Sequence, residues 1–199
     1  MYKFGGWEIA PKHDSMPQKV ATAFASVGET LIGAKYDFVA YLASQTVNGT
    51  NHAVLAEQTV MNGEDSKNAV VMVFNEKPGT MDVSLVDIHR VVESGGKLGG
   101  LAIAMSQEIP EEAEAAFKAA TEGTLGVTFK PFAYIGSKVV KGINYLLVAE
   151  ATAVVKNPVT ELVILTVNGM TKTFDVERLM DAPPVIAKGA LGAPLGEWP

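Results

Sequence analysis

Apolar residues along this chain follow two different periods. Between residues 17 and 33, Val20, Phe24, Val27 and Leu31 recur at three- and four-residue spacing, which predicts a helix with one buried stripe. Pro17 suits the first turn of such a helix, and Asp14 and Ser15 just before it supply capping chemistry. Beyond the helix, residues 38–47, 51–60, 69–75 and 81–92 are mainly alternating or rich in β-branched side chains. Gly49, Asn62-Gly63-Glu64-Asp65 and Lys77-Pro78-Gly79 separate them, so they are expected to pair as antiparallel hairpins. A second helix is predicted from Pro110 to about Leu125, behind Ser106, with strands near 131–140, 144–155, 161–167 and 173–179. Asn168-Gly169 between the last two is a two-residue hairpin signal. A helix that buries one face on a curved sheet of four or five antiparallel strands is an α+β unit, and the chain contains two of them in tandem.

The second unit repeats the first. A shift of 93 residues carries Pro17 onto Pro110, Phe24 onto Phe117, Tyr41 onto Tyr134, Gly49 onto Gly142, Val70 onto Val163 and Asp82 onto Asp175. A period this long marks a duplicated domain, since solenoid repeats run to about 20–50 residues. The expected organisation is domain 1 over residues 1–94, domain 2 over 95–182 and a Pro/Gly-rich tail over 183–199, with Glu93-Ser94-Gly95-Gly96-Lys97 as linker. The tail has no period, yet it carries Val185, Ile186, Leu191, Leu195 and Trp198. It reads equally as a docked arm or as a loose extension.

Composition narrows the chemistry. With 199 residues and 48% hydrophobic content, two cores of ordinary small-domain size are feasible. The net charge of −6 is split evenly between the halves, which leaves no basic face for nucleic acid. The chain has no cysteine, which excludes disulfides and thiolate chemistry. His13, His52 and His89 are too scattered to suggest a metal cluster, and no cofactor is expected. No apolar run approaches the roughly 18 residues of a membrane span. The N-terminus has no secretory h-region, so the chain as written reads as soluble and cytoplasmic, or as secreted if a signal peptide has been removed.

One string carries more specific information. Gln45-Thr46-Val47-Asn48-Gly49, continuing into Thr50-Asn51-His52, resembles the Gln-x-Val-x-Gly first hairpin of the cystatins and its Thr-Asn-Tyr continuation. Val73 to Gly79, with the turn Lys77-Pro78-Gly79, is similar to the second hairpin of stefins, the disulfide-free branch of that family. Phe4-Gly5-Gly6 and Leu98-Gly99-Gly100 resemble the family's N-terminal apolar-Gly-Gly trunk. The resemblance implies two tandem cystatin-like domains, in which a trunk and two hairpin tips occlude the cleft of a papain-like cysteine protease without chemistry of their own. The implied protease-binding residues are Phe4, Gly5, Gly6, Gln45, Thr46, Val47, Asn48, Gly49, Lys77, Pro78 and Gly79. Weaker equivalents in domain 2 are Leu98, Gly99, Lys138, Val139, Val140, Lys141 and Gly142. Domain 2 departs from the pattern, with Lys138 in place of Gln and the loop Asn168-Gly169-Met170-Thr171 in place of a proline turn, which suggests a degenerate copy. Domain 1 likewise lacks the Pro-Trp pair of secreted cystatins.

Plainer readings stand beside this one. A glycine between two β-rich runs is most often only a turn. Glu57 and Glu150 repeat at the 93-residue spacing and read as a solvated sheet face or a local hydrogen bond rather than as an acid/base pair. His52 stands where the second unit has Tyr145 and reads as a sheet residue. The alternative to protease inhibition is a non-inhibitory interaction module of the same fold, and an enzyme is the weakest of the three readings.

Overall fold

A computed structural model describes residues 6–61, 66–80, 82–94 and 100–180. Phe4, Gly5, Leu98, Gly99, most of the linker and the 183–199 tail lie outside the described residues. The protein is α+β, with two helices and two five-stranded antiparallel sheets among the described residues. It divides into two compact units, one of Met1–Ser94 with Ile103–Met105, the other of Gly95–Ala102 with Ser106–Pro199.

In unit 1, strand β1 (Trp7–Ile9) is followed by helix α1 (Gln18–Thr30) and strands β2 (Ala34–Val47), β3 (Gly49–Val60), β4 (Ser66–Glu76) and β5 (Val83–Glu93), paired in the order β1-β2-β3-β4-β5. The second sheet and its helix repeat the series as β6 (Ala102–Ser106), of which Ile103–Met105 group with unit 1, then α2 (Glu111–Thr121), β7 (Val127–Val140), β8 (Gly142–Ala153), β9 (Thr160–Asn168) and β10 (Thr173–Arg178) of unit 2. Strands β1 and β6 escape a reading by period because three and five residues are too few to display one.

The repeat reaches down to the register. Adding 93 to the limits of β2 and β3 gives those of β7 and β8. The β2–β3 pairing slips between Phe38 and Ala40 and again between Tyr41 and Ala43, and the β7–β8 pairing slips between Pro131 and Ala133 and between Tyr134 and Gly136, the same positions after the shift. Bulges bend a strand and increase its twist, so two at the same places give both sheets the same curvature around their helices. The correspondence ends at the second hairpin. Glu76 pairs with Val83 across a six-residue loop (77–82), whereas Asn168 pairs with Thr173 across a four-residue one (169–172). Asp175 lies opposite Thr166, the place that Asp87 takes opposite Val73, so its counterpart is Asp87 and the match with Asp82 is a coincidence of numbering.

Each helix packs on its own sheet. In unit 1, Val20 is fully buried, and Phe24 and Val27 pack with it against Tyr41, Val54, Ala56, Val70, Met72 and Phe74. Phe24 meets Phe38 edge-on at 6.3 Å and Phe74 at 6.2 Å, separations at which ring pairs contribute beyond their buried area. Helix α2 instead presents Ala113, Ala116 and Ala120 to Tyr134, Leu147, Leu165 and Val167, and these small side chains permit a closer approach. The central strands are inaccessible on both faces, as in β3, where every residue from His52 to Gln58 is buried. Glu57 therefore does not sit on a solvated face, and its carboxylate accepts a hydrogen bond from Lys67 Nζ at 2.7 Å.

Three local expectations are corrected. Pro17 and Pro110 are the N-caps themselves, and no side chain caps either helix. Ser15 donates to Asp14 instead, while the carbonyls of Pro17 and Pro110 accept from Ala21 and Glu114. Helix α2 ends at Thr121 and the chain turns at Gly123, whose φ of 78° only glycine adopts readily. The Asn168-Gly169 pair is not a two-residue turn. Asn168 is the last residue of β9, Lys172 carries the left-handed φ of 53°, and Gly169 serves packing, since a Cβ there would lie 3.0 Å from Ala116 Cα.

Candidate functional site

Pairing across unit 1 aligns Trp7, Gln45, Asn51, Asn75 and Ser84 in one row near an end of the sheet. Gly6, the Gln45–Gly49 hairpin and the Lys77-Pro78-Gly79 loop all emerge at that end. The two hairpin tips adjoin, because a Cβ on Gly49 would stand 3.2 Å from Pro78 Cδ.

The motif string divides into residues that build the tip and residues that present it. Gln45 is half-buried and its side-chain Oε1 accepts from Asn51 Nδ2 at 3.2 Å, while Asn75 Nδ2 donates to Asn51 Oδ1 at 2.8 Å. This amide ladder ties β2, β3 and β4 together beneath the tip. Gly49 has a φ of 104°, and a Cβ there would fall far inside 3.0 Å of the Glu76 carbonyl oxygen. Its glycine is required by the fold itself. Thr46, Val47 and Asn48 are exposed, as are Lys77, Pro78 and Gly79, and these six side chains and backbone segments are what a partner would meet.

Glu76 connects the tip to the helix. Its carboxylate pairs with Lys19 of α1 and lies 3.4 Å from His52 Nε2. His52 is 5% exposed; its Nδ1 shares a 2.8 Å hydrogen bond with the Tyr41 hydroxyl, while Nε2 is buried without a hydrogen-bond partner, the Glu76 oxygen lying 3.4 Å away. Burial pushes the His52 pKa below the usual 6.5, outweighing the Glu76 carboxylate, and the Lys19 ammonium holds Glu76 below the ordinary carboxylate value. A histidine with a depressed folded pKa takes up protons more readily when unfolded, so stability is full above about 6.5 and falls as pH drops below it. His52→Tyr, which installs the residue of unit 2, is expected to lose less melting temperature than wild type between neutral and mildly acidic pH. Equal losses in the two proteins would refute this.

Unit 2 builds the corresponding end differently. Lys138, Asn144, Asn168 and Thr173 form its row. Asn168, 4% exposed, makes four hydrogen bonds: its amide donates to the Lys141 carbonyl at 3.1 Å and Asn144 Oδ1 at 2.8 Å, and its side-chain oxygen accepts from the backbone N–H groups of Met170 and Thr171, both at 3.0 Å. One side chain thus clips both loops together. Lys138, Val139, Val140 and Lys141 are exposed, and Gly142 adjoins Met170. Residue types and spacing marked Asn168 and Met170 only as loop residues and gave Glu76 and Lys19 no role of their own, yet one signal was present, because Asn168 is Asn75 after the 93-residue shift.

Among the described residues no group of three His, Asp or Glu is arranged to hold a metal ion. No protein-family model matches the chain, and no curated protein matches it in sequence.

Proposed function

We propose that the protein has tandem cystatin-like domains and inhibits papain-like cysteine proteases, with unit 1 filling the enzyme's cleft and no covalent step. The observation that supports this most is the convergence of Gly6, the exposed Thr46-Val47-Asn48 tip and the exposed Lys77-Pro78-Gly79 loop at one end of the sheet. A narrow edge with an apolar centre suits a groove, and stays inert if no peptide bond is presented to the nucleophile. The test is titration of papain activity with the purified protein, together with Val47→Asp. Val47 is 42% exposed and makes no contribution to the core clusters, so the variant should melt as wild type does. Burial of a valine in a complex is worth roughly 1.5–3 kcal/mol, so inhibition should weaken about tenfold to a hundredfold. Absence of inhibition by wild type at micromolar concentration would remove the proposal.

One observation favours a second reading, that of a cystatin-fold interaction module without inhibitory activity. Gln45 and Gly49 both have full structural reasons inside the unit, so their presence does not by itself require a protease partner.

A further inference from the structure

We infer that two copies of this chain associate through strand β5, edge to edge and antiparallel about a two-fold axis at Ile88, joining two five-stranded sheets into one of ten. The inference is independent of the inhibitor reading, because it uses the side of the unit 1 sheet and not its hairpin end. Among the described residues no strand pairs with the outer side of β5. It has eleven residues, against three in β1, five in β6 and six in β10, the other edge strands. An edge strand carries unpaired N–H and C=O groups on its outer side, and soluble proteins commonly protect it with lysine, proline or a covering segment. Strand β5 contains neither lysine nor proline, and Val86, Asp87, His89 and Arg90 are all exposed. Its ladder with β4 skips Val86 and Val91 and is regular over residues 87–90.

The order of side chains identifies a second copy as the occupant. Residues that face each other across an antiparallel pair lie on the same face of the sheet, so a symmetric pairing over 87–90 is centred on a residue and not between two. Centring on Ile88 sets Asp87 against His89 of the second copy and His89 against its Asp87, so each carboxylate can accept from an imidazole N–H. Ile88, half-buried on the core face, then meets its own copy, and Val86, 56% exposed, is covered by the aliphatic stem of Arg90. The other centres fit worse. On Asp87 or Arg90 they oppose like charges, and on His89 they set Ile88 against Arg90. Unit 2 supplies the contrast within the same molecule. Asp175, Val176, Glu177 and Arg178 lie opposite Thr166, Leu165, Ile164 and Val163, as Asp87, Ile88, His89 and Arg90 lie opposite Val73, Met72, Val71 and Val70. The same symmetric pairing there would set Asp175 against Glu177 twice, and Arg178 already donates to Glu161 of β9 at 3.2 Å. One edge complements itself and the other repels its own copy. A strand from another protein would have to bring an acid and a base in this same order, which a second copy brings by symmetry.

The test is sedimentation equilibrium of the full chain from about 1 μM to about 1 mM, a range chosen because a single strand pair is a small interface of low affinity. A monomer–dimer equilibrium that reverses on dilution is expected, with the amides of residues 86–90 better protected from hydrogen exchange at the high end. His89→Glu changes only an exposed side chain, so the melting temperature should hold, but it opposes two acids at both symmetric positions and should weaken the dimer about tenfold. Adding Asp87→Lys to it restores opposite charges at both positions and should recover the dimer, which a merely structural effect of the first change would not allow. A monomer at every concentration would overturn the inference and leave this edge to a strand of another protein. A dimer indifferent to His89→Glu, or weakened by it and not recovered by Asp87→Lys, would overturn it as well. So would a dimer that persists on dilution, which marks an exchange of elements between copies, or growth beyond two chains, which a closed two-fold pairing forbids.

Discussion

Gly49→Ala is expected to cost unit 1 about 3–5 kcal/mol, a large share of the roughly 5–15 kcal/mol that holds a typical domain together. Two effects combine. The φ of 104° at this position is strained for any residue with a Cβ, and the new methyl group would be driven into the Glu76 carbonyl oxygen, a backbone atom at the end of β4 that cannot swing aside. Moving Glu76 would also disturb its ion pair with Lys19, the tie between the tip and helix α1. Gly142→Ala provides the control. Its φ of 88° is comparably strained, but the nearest atoms, Met170 Cβ and Sδ and Asn168 Oδ1, stand 3.0–3.3 Å away, so the neighbours need to give by only a few tenths of an ångström. A loss of about 1–2 kcal/mol is expected there. Urea midpoints for the two variants decide the matter: a Gly49→Ala protein as stable as Gly142→Ala would show that the carbonyl contact is not limiting. The result bears on function as well, since any larger replacement of Gly49 would distort the tip and confound a binding measurement with a loss of folding. Val47→Asp is the cleaner probe of binding.

The second large effect is expected at Asn168. Asn168→Ala removes four hydrogen bonds and leaves the Lys141 carbonyl and the Met170 and Thr171 N–H groups to find other partners in a part-buried site. Hydrogen bonds are worth about 0.5–1.5 kcal/mol each, and groups left unsatisfied cost more, so a net loss of roughly 2–4 kcal/mol follows if water recovers part of it. Asn75→Ala, at the matching place in unit 1, removes the 2.8 Å bond to Asn51 from a half-buried residue and should cost about 1 kcal/mol. Amide hydrogen exchange adds a local readout, with the Met170 and Thr171 amides expected to lose protection in Asn168→Ala. If the two asparagine variants are equally stable and those amides stay protected, the clip does not organise the loops.

Much of the fold was legible because it is written in local terms. The helix stripe of Val20, Phe24 and Val27 and the β-rich runs around Gly49 follow from periods that neighbouring residues set between themselves, and the 93-residue repeat then confirms each element against its copy. The repeat is dependable wherever the two units share a loop length. It fails at Asp82 and Asp175, because the whole second hairpin of unit 2 is shorter, with a four-residue loop in place of six, one pair fewer beside it and no counterpart of the bulge between Val73 and Phe74.

The sequence by itself determined two α+β units, their helices and first hairpins, and the positions at which glycine is needed. What those glycines and asparagines are for was decided only by the tertiary structure. Gly49 answers to a carbonyl 27 residues further along the chain, Gly169 to a helix 53 residues before it, and Asn168 to a loop carbonyl 27 residues earlier. Such requirements come from atoms brought together by sheet register and helix packing, and no period or turn propensity encodes them. The same holds for the hairpin end of each unit. Thr46, Val47 and Asn48 separate from Gln45 and Gly49 as presented against supporting residues, and Ile143 comes to lie opposite Val139 and Gly142 beside Met170, because adjacent antiparallel hairpins place their tips side by side.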